Sequence, residues 1–349
     1  MKKRTIIIVV LSAIITVGVA IAFLLIGGKD TERKYEIKHK QLTPIKEALQ
    51  INIHRYEQDI FALDTANLST GIKKLHTTYP EILIETGCWE NPRYIQQIKA
   101  YLSDPLIQEL VKDVNTHLPD LDFLVSDLEN AFAYYQHYYP DATIPEIITI
   151  VPGIDLQTSS AFLYENDLFI NLDQYLGADY RAYDKYGIPR YISERFDKKY
   201  MAIDCFKKAI VFRHIVEGKF ENLLDFIIFE GKRIYFTEMM FPYKLKEEII
   251  GYSPEKYKWA ERYHGEVWNY MISKNLLFEN NDKDIANYIG ESPFTKPFTN
   301  ESPGRMGAFI GWNIVNGFME NNKEVSLDSL LKITDSRAIL NRSQYKPMR

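Results

Sequence analysis

Hydrophobic residues fall into three regimes along this 349-residue chain. Thr5 to Ile26 is an uncharged apolar run of 22 residues behind Met1-Lys2-Lys3-Arg4. From Ile51 to His137, apolar positions recur at spacings near three and four, as in Tyr56, Ile60, Phe61 and Leu63, then Ile98, Tyr101, Leu102, Leu106 and Leu110. That period predicts amphipathic helices up to the turn at Tyr139-Pro140-Asp141. The pattern then shortens. Ile147-Ile148-Thr149-Ile150-Val151, stopped by Pro152-Gly153, predicts a strand. Ser160 to Tyr164 and Leu168 to Leu172, around Glu165-Asn166-Asp167, predict a hairpin. Asp173 to Ile192 predicts an aromatic-rich loop, and helical spacing resumes at Met201.

Two later helices carry start signals. Ser253-Pro254-Glu255 supplies an N-cap, a first-turn proline and an acid against the helix dipole. Trp259, Tyr263, Val267, Trp268 and Met271 line one face of that helix. Ser302-Pro303-Gly304 predicts the start of the next, with Met306, Phe309, Ile310, Ile314 and Phe318 as its apolar stripe. Its small residues Gly307, Ala308 and Gly311 suit close approach of a neighbouring helix. Ser326 opens a last short helix to Lys332.

The leading apolar run is long enough to span a hydrocarbon core of ~30 Å as a helix. Basic residues before it place the N-terminus inside and the body outside. Ala20-Ile21-Ala22 offers a signal-peptidase pattern, but apolar residues continue past it to Ile26, which favours an uncleaved anchor. The organisation expected is an anchor at 1–29, a charged spacer at 30–50 and one domain at 51–349, helical over 51–140. Lipid acylation needs a Cys just after the run, and the first is Cys88, so a lipoprotein is not expected.

Setting aside the four basic residues of the first 29 leaves 38 basic against 47 acidic side chains, a net of −9. An acidic body argues against nucleic acid or anionic headgroups as the main partner. Cys88 and Cys205 could pair in an oxidising periplasm or stand as two buried thiols; two cysteines make no disulfide framework. No zinc-type Cys/His spacing, P-loop, Gly-x-Ser-x-Gly or dinucleotide fingerprint is present.

A likeness to a known family rests on an ordered series: Asn171 to Gly177; Phe229-Glu230-Gly231-Lys232; Ser253-Pro254-Glu255 with Trp259-Ala260 and Trp268; Pro293-Phe294; Ser302 to Gly307; Gly311-Trp312; and Ser343 to Pro347. Over roughly Thr143 to the C-terminus these resemble the gliding-motility protein GldB family of Bacteroidetes, cell-envelope proteins tied to gliding and secretion machinery. Most of that family are lipoproteins, from which this chain departs. Near Trp259 the family has Asn-Glu where this chain has Tyr263-His264. The resemblance implies an α+β, mostly helical, zincin-like scaffold that has lost its metal motif, with the zincin-like part over 141–349.

In zincins, two His at i and i+4 on a helix bind Zn²⁺, and a Glu activates the metal-bound water. Here His214 stands where a first ligand could, but Ile215 replaces the Glu and Gly218 the second His. Glu230, before Gly231, resembles a third ligand and is expected to be buried and paired, with Lys208, Lys232 and Arg233 as candidate partners. Arg305 at a helix start suits a carboxylate or chain terminus, or an internal pair with Glu301 or Glu230. Asp173, Tyr175, Trp268 and Trp312 complete the groove candidates, and the Asp173–Phe196 loop offers an aromatic protein-binding surface. The expected function is a membrane-anchored, non-catalytic, cofactor-free binding protein facing the periplasm, with envelope proteins or peptides as partners. The alternative is an atypical metal-dependent hydrolase using Glu230 and His214.

Overall fold

A computed structural model describes residues 42–347 except 81 and 83–86. The expected anchor and most of the spacer lie outside the described residues. Among the described residues, no helix is long and apolar enough to cross a membrane. The chain divides into two compact units, Met1–Leu49 and Gln50–Arg349. In the first, residues 42–48 are helical.

The second unit is α+β, mostly helical, around a mixed four-stranded sheet. Its strands are β1 (Ile53–Arg55), β2 (Ile147–Ile150), β3 (Ala161–Tyr164) and β4 (Asp167–Asn171), in the order β1-β2-β4-β3. β1 and β4 both run parallel to β2, with Ile53 opposite Ile147 and Ile148 opposite Phe169. β3 returns antiparallel along the edge, Phe162 opposite Phe169. The hairpin turns at Glu165, whose φ of 49° is left-handed. The helical expectation for Ile51 onward is therefore corrected at β1. Three residues are too few to display a period of two, and the partner that makes them a strand lies far along the chain.

Helices α1 (Tyr56–Phe61), α2 (Leu68–Thr78), α3 (Pro92–Ser103), α4 (Pro105–His117) and α5 (Asp122–Tyr138) follow β1. Tyr56, Ile60, Leu68, Ile72, Leu75 and Tyr79 bury against Ile148 and Phe169 of the sheet. The helical pattern across Ile98–Leu110 divides at Asp104-Pro105. Asp104 accepts from the Leu106 N–H at 2.8 Å, capping α4, while proline supplies a first-turn residue that needs no hydrogen bond.

The stretch read as a loop contains two single-turn helices, α6 (Ala182–Lys185) and α7 (Arg190–Ser193). Tyr183 within it is buried, donating to the Asp173 carbonyl at 2.8 Å and accepting from the Leu176 N–H at 3.1 Å. Then come α8 (Met201–Lys208), α9 (Leu223–Met240), α10 (Lys246–Ile250), α11 (Pro254–Ser273), α12 (Asp282–Tyr288), α13 (Met306–Asn321), α14 (Leu327–Lys332) and α15 (Ser336–Ser343). Asn222 and Asp225 form a capping box for α9. Ser253 and Ser326 cap α11 and α14 as expected.

α13 starts later than Ser302 predicts. Ser302 is buried and bonds within its own loop, and Arg305 becomes the N-cap at φ 59°. α9 and α13 pack so closely that a Cβ on Gly311 would collide with the Ile227 carbonyl, and one on Gly231 with the Gly311 backbone. The small-residue stripe thus sets the distance between the helices that carry Glu230 and Arg305. Cys88 and Cys205 are both buried and are not disulfide-bonded.

Candidate functional site

α8 lies against β3 and β4 and presents Asp204 and Lys208 at i and i+4. Lys208 Nζ donates to Asp204 Oδ2 at 2.9 Å and to Ser160 Oγ at 2.7 Å. The same Asp204 oxygen accepts from Ser160 Oγ and Tyr175 OH, each at 3.0 Å. Burial pushes the Asp204 carboxyl up, but Lys208 and Lys207 outweigh it and hold the group below the usual carboxylate range. Two ligands at this spacing would share a metal; an acid and a base there neutralise each other. The signal in the sequence is Asp-x-x-x-Lys on the first helix of more than one turn after the hairpin, a spacing that on most helices is a solvent-exposed pair.

Glu230 sits one layer away on α9 and is 9% exposed. Arg233, one turn on, donates to its Oε1, and Arg305 Nη2 reaches its Oε2 at 2.8 Å. Burial raises the Glu230 carboxyl, and the two guanidiniums overcome it, so it stays ionised below the usual range. Of the partners named from sequence, Arg233 and Arg305 are the ones used. Lys208 serves Asp204, and Lys232 donates to the Ile333 carbonyl. Arg233 also donates to the Lys207 carbonyl at 2.9 Å, tying α9 to α8.

Lys207 is buried, with Nζ 2.9 Å from the Ile249 carbonyl and 4.0 Å from Asp204. Burial brings its ammonium down to about 7. The chain of charges continues outward. Arg305 Nη1 lies 3.5 Å from Glu291, whose two oxygens receive Arg195 Nη1 and Nη2 at 3.0 and 2.8 Å. The side chain of Glu291 is 45% exposed, whereas that of Arg305 is 15% exposed.

This outer end opens into a groove. One shallow lobe, about 440 Å³ counting the open solvent above it, is lined by Arg195, Tyr252, Lys256, Glu291, Gly304 and Arg305 among others. A second, about 770 Å³ counted the same way, adds Lys199, Tyr200, Leu245, Glu247 and Glu248. The lobes adjoin, with Tyr191, Glu194, Arg195, Gly251, Tyr252 and Ser253 lining both. Tyr252 donates from its hydroxyl to the Gly304 carbonyl at 2.8 Å, and Lys256 to the carbonyls of Asn300 and Ser302 at 2.9 and 2.7 Å. These bonds fix the loop before α13 and hold Arg305 in place.

The remaining groove candidates are interior residues. Asp173 is fully buried and accepts from the Gly153 N–H at 2.9 Å; burial pushes its carboxyl up to about 7. Tyr175 is buried on Asp204. Trp268 packs edge-on to Tyr345, with ring centroids 5.2 Å apart. Trp312 is 2% exposed, donates from Nε1 to Glu238 at 2.7 Å and lies under the Lys246 ammonium. Arg305 alone of these five lines the groove.

His214 closes the short 3₁₀ turn Ile210–Arg213 and is not on an α-helix. Its Nε2 meets Tyr135 OH at 2.8 Å, and its ring stacks on Tyr139 at 3.8 Å between centroids. Burial holds its imidazole down at about 4. Nothing in its surroundings is shared with Glu230, whose oxygens are occupied by arginines. Among the described residues, no three His, Cys, Asp or Glu side chains come together in a way that could hold a metal ion.

Residues 36–347 match the family described as Gliding motility protein GldB. The match takes in the helices before β2, beyond the stretch over which the sequence motifs carry the likeness. No curated protein and no solved structure gives a significant match. With nearly its whole length covered, the chain belongs to the GldB gliding-motility family.

Proposed function

We propose that this chain is a non-catalytic binding protein of the cell envelope, serving gliding or secretion machinery by holding a protein segment or peptide in the groove beside Arg305. Family membership ties the chain to gliding motility. The binding role rests on one observation. The acids that could serve a metal are consumed by internal cations: Asp204 by Lys208, and Glu230 by Arg233 and Arg305. A divalent cation entering here would meet resident positive charge, so the donor set does not suit zinc.

In this reading the scaffold is a degenerate zincin. Its support is the antiparallel edge strand β3 lying beside a helix with paired i and i+4 residues. Residues 1–29 act as the membrane anchor, with the body on the periplasmic side. The family label, GldB_lipo, points instead to lipid attachment. An unchanged intact mass when lipoprotein processing is inhibited supports the helical anchor; accumulation of a larger precursor overturns it.

A photo-crosslinking residue at Tyr191, in the shared wall of the groove, tests the binding role in cells. Crosslinks to envelope proteins are expected. Elemental analysis of the purified chain with a zinc-titrated melt tests the rival hydrolase. Stoichiometric zinc, or a zinc-dependent rise in melting temperature lost in E230Q and H214F, would reverse the assignment.

A further inference from the structure

Glu291 is placed unlike the other acids of the network. Asp204 and Glu230 are set in helices and nearly buried, while Glu291 lies on the linker between α12 and α13 with almost half its side chain exposed. Yet it makes the most specific contact of the site, a two-point fork on Arg195 with Arg305 alongside. Arg305 is positioned without it, gripped by Glu230 from behind and set as the N-cap residue of α13. The aliphatic stem of Arg195 passes close to Gly251, where a Cβ would lie 3.2 Å from its Cδ.

Charge gives a second, independent indication. Arg195, Lys208, Arg233 and Arg305 are four full cations, with Lys207 partly charged beside them, against the carboxylates of Asp204, Glu230 and Glu291. Without Glu291, the most exposed acid of the network, the imbalance widens. Glu194 lines both lobes, and farther along Glu247 and Glu248 add negative charge beside Lys199. The depression is therefore cationic at its Arg305 end and acidic at the other.

Building on the binding role proposed above, we infer that Glu291 is an internal stand-in for a ligand carboxylate. A peptide places its carboxylate on Arg195 and Arg305, displaces the Glu291 fork, and runs toward Tyr200 with a basic residue facing Glu194 and Glu247. Planar two-point recognition is what a guanidinium pair offers a carboxylate and does not offer a carboxamide. The exposed linker position lets Glu291 swing aside without unpacking a helix.

Full-length protein in detergent is titrated, by fluorescence polarisation, with labelled Ala-Lys-Ala-Ala-Ala ending in a free carboxylate. The same peptide ending in carboxamide is the control, and a carboxamide peptide with an internal Glu distinguishes a side chain from a chain terminus. A carboxylate in either position is expected to bind at least about tenfold more tightly than the control, one broken charge-assisted fork. E291Q is expected to tighten carboxylate binding by about tenfold through removal of the competitor, and R195Q to abolish it. E291S serves the same purpose if E291Q is poorly folded. Equal binding of carboxylate and carboxamide, or no carboxylate binding by wild type and both Glu291 variants, overturns the inference. If Tyr191 crosslinks persist in that case, only the carboxylate assignment falls; if they are absent as well, the binding role falls with it.

Discussion

His214 and Glu230 lie 16 residues apart in sequence and invite the same question, whether a buried polar side chain was kept for chemistry. Their surroundings answer differently. Around His214 are rings: Tyr139 stacked on it, Tyr135 bonded to it and Phe236 beyond. The imidazole is kept neutral and its reachable nitrogen is spent. Around Glu230 are full charges, arranged so that a chain of pairs leads from α8 to an open groove. A neutral box closes on itself because a hydroxyl satisfies a ring nitrogen completely. A charged network with unequal signs does not close, and its surplus is available to a ligand.

Removing a charge from the Glu230 region should cost most. R305M leaves Glu230 buried with one partner, and an expected loss of about 3–5 kcal/mol would show in denaturant unfolding. A loss under about 1 kcal/mol would mean the pair contributes little and the contrast with His214 is overdrawn. Next is the packing that sets the Glu230–Arg305 distance. G311A drives a methyl into the Ile227 carbonyl of α9, for an expected cost of about 3 kcal/mol in the same assay.

The His214 region should respond to pH instead. Its imidazole is depressed from the ordinary 6.5 to about 4, so between those values the unfolded chain takes up a proton that the folded chain refuses. The stability tied to the neutral ring is whole above pH 6.5, falls as pH drops toward 4, and changes no further below. Allowing for its partial exposure, the loss is roughly 2 kcal/mol, read as wild type minus H214F in urea melts across that window. Parallel curves for the two proteins would refute it. The smallest effect belongs to Y135F, which deletes the hydroxyl facing His214 for about 1 kcal/mol with little change in the groove.

Much of this was legible beforehand. The hairpin, the serine caps of α11 and α14, and the small-residue contact of α13 follow from local chemistry that needs no distant partner. The GldB likeness was legible for the same reason, since short strings such as Phe229-Glu230-Gly231 survive as strings. Glu230 was readable as a buried, paired residue from its apolar neighbours. β1 was not legible, because a three-residue strand exists only by pairing with β2. The Asp204–Lys208 pair went unnoticed because that spacing on a helix is usually a solvent-exposed pair. Asp173, Tyr175, Trp268 and Trp312 were placed in a groove because polar and aromatic side chains suit one, yet burial with internal hydrogen bonds suits them equally.

The sequence by itself determined the main helical stretches, the caps at Ser253 and Ser326, the hairpin and the family, since periodicity and capping act over a few residues. Tertiary structure decided which charges meet. Arg195, Glu230, Glu291 and Arg305 come from four separate segments, and electrostatic partnership depends on distance through space, which the order of residues along a chain does not encode.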